Sequence, residues 1–186
     1  GITGFEDLAG KRINVGPPGS NAAVLSQRVL TAYGVFDPSK VEFLSYNEGV
    51  AALTNGTVDA TVVLAGAPTA ALIDLDAQED MVLLSLDPAK VGTLFKDYPF
   101  YQPYEIPAGT YPDQTEPVSV VNDPATLFVN ANADPAMVEK LTAAIFDNLG
   151  ELGEVHPQAR AINLKDAPNM PIPLHAGAQA YFDAHK

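Results

Sequence analysis

The sequence predicts an α/β fold with a mostly parallel sheet and flanking helices. Segments with strand-like and helix-like patterns alternate along residues 11–97, and steady alternation of this kind is typical of parallel sheets joined by helical crossovers. Two loops that contain glycine and proline, 16–21 and 65–68, directly follow strand-like segments. Ligands bind at the carboxyl ends of the strands in such sheets. Both loops are therefore expected at one edge of the sheet, as candidate binding elements.

The first strand is predicted at residues 11–15, and the first helix is predicted to begin at Ser20 or Asn21. Apolar residues recur at helical spacing between 22 and 33. Ser20 and Asn21 are favourable N-cap residues, and Gly34 is a typical helix end. The loop before this helix places backbone N–H groups and a hydroxyl near the positive end of the helix dipole, which suits a carboxylate. The same residues also suit a capped turn that binds no ligand, so the loop alone leaves both interpretations open.

The following elements continue the alternation up to residue 97. Strands are indicated by β-branched or alternating residues, and helices by apolar stripes. Pro68 is expected at the first position of its helix, where proline is favoured, and Asp87 is expected to cap the next helix. The predicted strands are 41–46, 58–64 and 81–86, and the predicted helices are 48–53, 68–77 and a short one after Asp87.

The alternation breaks at residues 98–117, which contain five prolines and several tyrosines. A long proline-rich segment with this many aromatic residues predicts an ordered, packed loop, with one or two rings lining a site. After it, the chain is predicted to be mostly helical. The predicted strands there are 118–121 and 125–129, and the predicted helices are 135–152, 157–162 and 175–185, the first with the apolar stripe Val138, Leu141, Ile145 and Leu149.

Composition and motifs argue against several classes of function. The net charge of −13 argues against nucleic acid and anionic membrane surfaces as partners, because both require clustered positive charge. The sequence has no cysteine, which excludes disulfides, thiolate metal sites and a cysteine nucleophile. It also lacks the Walker A, dinucleotide-binding and Gly-x-Ser-x-Gly patterns. The histidines and the acidic run at 74–80 lack metal-ligand spacing. No cofactor, no metal and no enzyme activity are therefore expected.

Several motifs resemble, in the same order, those of one protein family. They are Asp7-Leu8-Ala9-Gly10-Lys11-Arg12 followed by Gly16-x-x-Gly19-Ser20, Asn55 to Ala60, Gly66 to Ala71, Tyr98-Pro99-Phe100-Tyr101, Ile106 to Pro112, and Pro171 to His175 with Gly177 and Tyr181. The chain resembles the second lobe of type II periplasmic solute-binding proteins. Within that class it looks like the TAXI family, the solute receptors of TRAP transporters, over essentially its whole length.

The resemblance implies a division of the chain between two lobes. Residues 5–127 would form lobe two, the ligand-binding α/β lobe, and residues 128–186 would form the crossover and C-terminal helices of lobe one. Family members are longer, so a signal sequence and the first half of lobe one are expected upstream, and the expected location is periplasmic. The apolar stripe of helix 135–152 would then lack its sheet. A partner chain, self-association or a rearranged surface of lobe two is expected to cover it.

The resemblance also implies a function and a set of ligand-binding residues. The receptor would capture a small carboxylate, such as glutamate, glutamine or a dicarboxylate, between its lobes and deliver it to the membrane subunits of a TRAP transporter. The implied ligand-binding residues are Gly19, Ser20 and Asn21 for the carboxylate, Gly66, Ala67 and Pro68 through backbone groups, and, as weaker candidates that also fit structural roles, Tyr46, Glu48 and Tyr111. Asp59 lies inside a family motif but is expected to be a strand-end or turn residue.

Two other classes of protein are alternatives. An extracytoplasmic sensing domain of a signalling protein would share the fold and the ligand site, and flanking membrane spans and an output domain would distinguish it. An enzyme on the same two-lobe fold would need a general acid or base in the cleft. The candidate loops offer hydroxyls, amides and glycine instead, so the enzyme ranks last.

Overall fold

The computed structural model describes residues 1–170 and 172–186 of the chain. Pro171, the first residue of the motif Pro171 to His175, lies outside the described residues. The chain forms two compact units, Gly1–Asp123 and Pro124–Lys186. The assignment of these units to the two lobes of a binding protein stays a prediction.

The first unit contains a three-stranded parallel sheet with the strand order β2-β1-β3. Ile13 in the central strand is in register with Val41 on one side and with Ala60 on the other. The strands are β1 (Ile13–Asn14), β2 (Val41–Glu42) and β3 (Ala60–Thr61). With its flanking helices, this sheet confirms the predicted α/β fold.

Two helices of the first unit, at Asn21–Ala32 and Pro88–Asp97, begin directly after the capping residues predicted for them, whereas the helix at Tyr46–Thr54 begins two residues before its predicted start. Ser20 accepts a hydrogen bond from the N–H of Ala23 (3.2 Å), and Asp87 accepts one from the N–H of Ala89 (2.8 Å). These bonds satisfy N–H groups that have no partner inside the helix. The helices are α1 (Asn21–Ala32), α2 (Tyr46–Thr54), α3 (Ala70–Asp76) and α4 (Pro88–Asp97), preceded by a short 3₁₀ helix at Phe5–Leu8.

The core of this unit lies between α1 and one face of the sheet. Ile13 and Val15 pack with Leu30 of α1 in a buried cluster. Because side chains alternate along a strand, Asn14 faces the opposite side of the sheet, where it meets α2. A second buried cluster joins α1 to α4 and consists of Leu25, Val29, Tyr33, Leu86, Val91, Leu94 and Tyr101.

Several predicted elements of the first unit are shorter than expected or wrong. The strands predicted at 11–15, 41–46 and 58–64 are limited to the two-residue pairs of β1, β2 and β3. The strand predicted at 81–86 is wrong, because this segment makes isolated hydrogen bonds instead of a ladder, such as Leu86 N–H to Ser119 O (2.8 Å). Pro68 does not begin α3. Thr69 is the N-cap, and the helix starts at Ala70.

The proline-rich segment 98–117 is not entirely loop. It contains strand β4 (Gln102–Ile106), which pairs in antiparallel fashion with β5 (Val118–Asn122) and places Pro103 opposite Val121. These two strands form a two-stranded sheet. Among the described residues, β4 pairs on one side only, and prolines in sheets are confined largely to edge strands of this kind.

The second unit is helical. Its elements are α5 (Pro135–Phe146), α6 (Leu149–Val155), a 3₁₀ helix at Pro157–Ala161 and α7 (Ala176–Ala184). The strand predicted at 125–129 is wrong, since these residues pair with no strand in the described part of the chain. The single helix predicted over 135–152 is also wrong. The chain leaves the helical path at Asp147 and Asn148, where Asn148 bonds back to Ala144 O (2.8 Å), and then starts α6.

The apolar stripe of α5 packs partly against α7. Gly177 in α7 lies so close to the backbone of Pro135 and Glu139 that a Cβ there would overlap both. Val138 is buried, and Phe146 makes an edge-to-face contact with Phe182. Contact with α7 was not expected for this stripe. The expected contacts were a partner chain, self-association or a rearranged surface of lobe two. Self-association or a partner chain over the rest of the stripe, including the exposed Leu141, stays a prediction.

Candidate ligand-binding site

The carboxyl ends of the three parallel strands meet at one edge of the sheet, and the side chain of Asn14 organises that edge. Asn14 is completely buried. Its Oδ1 accepts hydrogen bonds from the N–H groups of Gly16 (3.1 Å) and Leu44 (3.0 Å), and its Nδ2 donates to Thr61 Oγ1 (2.9 Å). One amide thus ties together the loops after β1 and β2 and strand β3.

Asn14 is absent from the predicted site residues. The signal that could have identified it is an asparagine at an inward position of a short apolar strand, where asparagine is disfavoured and where a buried amide needs several partners. That pattern predicts a buried side chain with several hydrogen-bond partners, but it does not identify the loops that provide them.

The loop 16–20 forms a turn that leads directly into α1. Gly16 and Gly19 have φ angles of 95° and 73°, in the left-handed region that favours glycine. Ser20 Oγ accepts from Ala23 N–H and donates to Pro17 O (2.6 Å), so its proton is used inside the loop. Among residues 1–170 and 172–186, the N–H groups of Gly19 and Asn21 have no acceptor. Both residues are exposed, so these donors face solvent.

The loop after β3 carries the second predicted group, Gly66, Ala67 and Pro68, with a cis peptide bond before Pro68. Within the described parts of the chain, the backbone of residues 65–68 makes no hydrogen bond. Gly66 and Ala67 are partly exposed. Their N–H groups are therefore free donors on the same edge of the sheet as the loop 16–20.

Tyr46 lies between the two loops. Its ring is close to Gly16, since a Cβ built on that glycine would be 3.7 Å from Tyr46 Cε1. Its hydroxyl donates to Leu64 O (2.9 Å), at the start of the second loop. The fold therefore brings together the two predicted loops and Tyr46, although these lie far apart in sequence.

Tyr111 is placed differently from the other predicted residues. It is 1% exposed, and its hydroxyl accepts a hydrogen bond from Thr69 N–H (3.1 Å). It therefore lies behind the loop 65–68, at the start of α3. A buried ring in this position supports the backbone of the loop and has no exposed surface to offer to a ligand.

Structural contacts engage the carboxylates of Glu48, a weaker candidate for the site, and of Asp59, which was expected in a structural position. The carboxylate of Glu48 accepts from Ser45 N–H (2.9 Å) and Ser45 Oγ (2.7 Å), and these bonds lower its pKa. The Arg12 guanidinium binds the carboxylate of Asp59 (2.9 Å), and this contact lowers the pKa of Asp59 to about 2. Arg12 precedes β1, so this ion pair lies at the opposite end of the strands from the candidate site.

One groove adjoins the candidate edge, and a second lies between α2 and α3. A groove of about 130 Å³ lies between α1 and the residues around β2, and its lining includes Gly19, Ser20, Val24 and Phe43. It places an apolar surface directly beside the loop that leads into α1. A larger groove of about 360 Å³ runs between α2 and α3, from Asn47 to Asn55 along α2.

A comparison with protein families identifies the class of the chain. The family model described as the NMT1-like family matches residues 1–184. The chain belongs to the NMT1-like family. This is a family of the periplasmic binding-protein type, so membership implies that the chain binds a small solute. The expected resemblance to periplasmic solute-binding proteins is confirmed at this level. The TAXI subfamily and the upstream half of lobe one stay predictions.

NMT1-like proteins are typically extracytoplasmic. Among the residues that the structure describes, no helix has the length and apolarity needed to span a bilayer. Nor do three or more histidine, aspartate or glutamate side chains of these residues come together as metal ligands would. A periplasmic location remains the expectation drawn from the resemblance.

Proposed function

We propose that this NMT1-like chain is the ligand-binding part of an extracytoplasmic solute receptor of the TAXI type. The receptor captures a small carboxylate, such as glutamate, glutamine or a dicarboxylate, and delivers it to the membrane subunits of a TRAP transporter. The observation that carries the proposal is a set of backbone N–H groups in two loops at one edge of the sheet, which have no acceptor among the residues that the structure describes. Family membership supports the binding role independently.

In this proposal the carboxylate is held by neutral donors. Gly19 and Asn21 supply N–H groups at the start of α1, where the helix dipole favours a negative charge. Gly66 and Ala67 supply further N–H groups from the facing loop. Hydrogen bonds to an ionised acceptor are about twice as strong as those between neutral groups. A local array of N–H groups can therefore bind an anion even though the protein carries a net charge of −13.

Binding, without catalysis, is the proposed activity. The candidate loops present amides and hydroxyls, and the nearby carboxylate of Glu48 is already engaged by Ser45. A general acid or base would need a titratable group free to reach the ligand. Capture would be completed by closure of two lobes around the solute, a hinge motion common to periplasmic receptors.

The experiment that tests the anion site uses the first position of α1. Asn21 occupies that position, where proline is favoured because its missing N–H has no partner in the helix. Ser20 before it has φ −82° and ψ 158°, which is compatible with a following proline. Asn21→Pro therefore deletes one free N–H and preserves the helix. Asn21→Ala is the matched control, because it removes the same side chain and keeps the N–H.

Calorimetric titration with glutamate, glutamine and 2-oxoglutarate provides the measurement. We expect Asn21→Pro to weaken carboxylate binding by about tenfold or more, the usual effect of losing a hydrogen bond to a charged group, and Asn21→Ala to bind like the original chain. Equal binding by both variants would show that the carboxylate does not bind at the start of α1. Failure of the intact receptor to bind any of the three solutes would contradict the carboxylate proposal.

A further inference from the structure

We propose that Tyr46 and Tyr111 are positioning residues that fix the two ends of the loop 65–68 and do not themselves touch the ligand. This inference rests on the proposed function, because it assigns to both tyrosines the task of presenting the N–H groups of that loop. The family resemblance gave both only as weaker candidates for ligand contact, with a structural role favoured for each. The contacts of their hydroxyl groups specify that role.

The loop is attached to the rest of the first unit at its two ends. Its last upstream sheet bond is Val62 N–H to Asn14 O (2.9 Å), and the first bond of α3 downstream is accepted by Thr69 O. Between these two points, the chain makes two hydrogen bonds to other described residues. Tyr46 donates to Leu64 O, and Tyr111 accepts from Thr69 N–H. Each end of the loop is thus held by a tyrosine hydroxyl.

The downstream end depends on Tyr111 because α3 has no cap of its own. Thr69 is the N-cap residue, but its side chain makes no capping bond. Its Oγ1 is buried and has no partner in the described chain. A threonine in this position usually satisfies helix N–H groups with its hydroxyl. Here the bond that Thr69 N–H donates to the hydroxyl of Tyr111 fixes the start of the helix instead.

Tyr111 is itself held rigidly. Gln114 Nε2 donates to Pro107 O (3.0 Å) and Glu116 O (3.0 Å), and these bonds close the segment around Tyr111. Asp113 N–H donates to the carboxylate of the buried Asp76 (3.2 Å), at the other end of α3. The segment therefore contacts both ends of α3. Its bonds hold the hydroxyl of Tyr111 where it accepts the N–H of Thr69.

Tyr46 is held by the capping box at the start of α2. Ser45 and Glu48 bond to each other through backbone and side chain, and Tyr46 is the first residue of the helix they cap. Its ring rests beside Gly16, and its hydroxyl reaches Leu64. Because one side chain contacts both candidate loops, Tyr46 sets the distance between the donors of α1 and those of the loop 65–68.

Direct contact with the ligand is the competing role. The only proton of the Tyr46 hydroxyl is donated to Leu64 O, so it is not available to a carboxylate without breaking that bond. Tyr111 is buried, so a ligand reaches it only if the loop moves away. A positioning residue weakens the binding of every ligand of the site and also holds the loop in the absence of ligand. A contacting residue leaves the unliganded loop unchanged.

The test compares Tyr46→Phe and Tyr111→Phe with the matched control Tyr33→Phe. Tyr33 also accepts a backbone N–H, from Asp87 (2.6 Å), but it lies in the α1–α4 core away from the loop. We expect the two site variants to bind glutamate, glutamine and 2-oxoglutarate about fivefold more weakly, by the same factor for each, as the loss of one hydrogen bond implies. Tyr33→Phe should lose stability but bind normally.

Hydrogen exchange of the unliganded protein gives a readout that does not depend on binding. The hydrogen-bonded amides at the two ends of the loop are the reporters. Thr69 N–H should exchange faster in Tyr111→Phe, because it loses its acceptor, and Val62 N–H should exchange faster in Tyr46→Phe, whereas both should exchange at the normal rate in Tyr33→Phe. Unchanged exchange in both site variants would overturn the proposal, and so would weaker binding confined to one ligand or shared by Tyr33→Phe. If the original chain binds no carboxylate, the proposed function fails, and the exchange data still decide whether the tyrosines fix the loop.

Discussion

Gly49 of α2 lies directly against the side chain of Asn14, with no space for a Cβ between them. A Cβ on Gly49 would overlap Asn14 Nδ2 and Thr61 Oγ1. The absence of a side chain lets α2 approach the sheet closely at this point. The buried amide of Asn14 then has room for its bonds to Gly16, Leu44 and Thr61. The geometry of the candidate edge therefore depends on this one contact.

Substitution of Gly49 by alanine should destabilise the protein. The added methyl group forces α2 away from Asn14 and Thr61, and overpacking of this kind costs about 1–3 kcal/mol. The matched control is Gly92→Ala in α4, where a Cβ would meet nothing within 4 Å and where alanine is the better helix former by roughly 0.8–1 kcal/mol. Urea unfolding should show opposite signs for the two variants. A neutral Gly49→Ala would mean that α2 shifts without cost.

Substitution of Asn14 by alanine should cost more. It leaves the N–H groups of Gly16 and Leu44 without acceptors in a buried region, at about 1–3 kcal/mol for each unsatisfied group. Hydrogen exchange at these two amides identifies the cause, since both should lose protection while the amides of α4 keep theirs. Asn47→Ala, an exposed asparagine at the start of α2, serves as the control and should leave the unfolding midpoint nearly unchanged. Retained protection at Gly16 and Leu44 would contradict the role assigned to Asn14.

Local chemistry explains what could be predicted from the sequence. Ser20, Asp87 and Asp134 mark the starts of α1, α4 and α5 because a cap bonds to N–H groups two or three residues away. The strands predicted at 81–86 and 125–129 failed because a strand also needs a partner distant in sequence. Strand β4 was not predicted, for the converse reason, since pairing with β5 forms a strand in spite of Pro103.

For the candidate site, the sequence predicts which loops take part but not how they are connected. The loops 16–21 and 65–68 follow from the rule that ligands bind at the carboxyl ends of parallel strands. The connections between them were not predictable, because they are made by side chains far away along the chain. Examples are the bond from Thr69 N–H to the Tyr111 hydroxyl and the bond from Leu44 N–H to Asn14 Oδ1. Sequence patterns place residues on elements, whereas the loop geometry depends on these long-range bonds.

The ion pair of Arg12 and Asp59 should make the free energy of unfolding depend on pH in the acid range. The hydrogen bonds from Arg12 lower the pKa of Asp59 to about 2 in the folded protein, whereas an unfolded aspartate has a pKa of about 3.9. The folded value is the lower one, so the stabilisation is complete above about pH 4 and is lost as the pH falls towards about 2. The difference in unfolding free energy between the original chain and Asp59→Asn should shrink over that window. If the difference in unfolding free energy is just as large near pH 2, the stabilisation does not come from the charged carboxylate of Asp59.

The hydrogen bond from Tyr181 to Asp147 should give the opposite dependence at alkaline pH. The hydroxyl donates to Asp147 Oδ1 (2.6 Å), and this bond to a carboxylate raises the pKa of Tyr181 to about 12, compared with about 10 in an unfolded chain. The folded value is the higher one. The stabilisation is therefore complete below about pH 10 and is lost as the pH rises through about 12.

Tyr181→Phe should therefore lower the unfolding free energy by a constant amount up to about pH 10, and the gap to the original chain should close above that value. The bond joins α7 to the residue that follows α5, so the loss should appear as faster hydrogen exchange in these two helices. Tyr104→Phe is the control, because the Tyr104 hydroxyl makes no hydrogen bond to any residue that the structure describes. A gap that stays constant through the alkaline range would show that Tyr181 contributes by packing on Phe146 and Phe182 and not through its bond to Asp147.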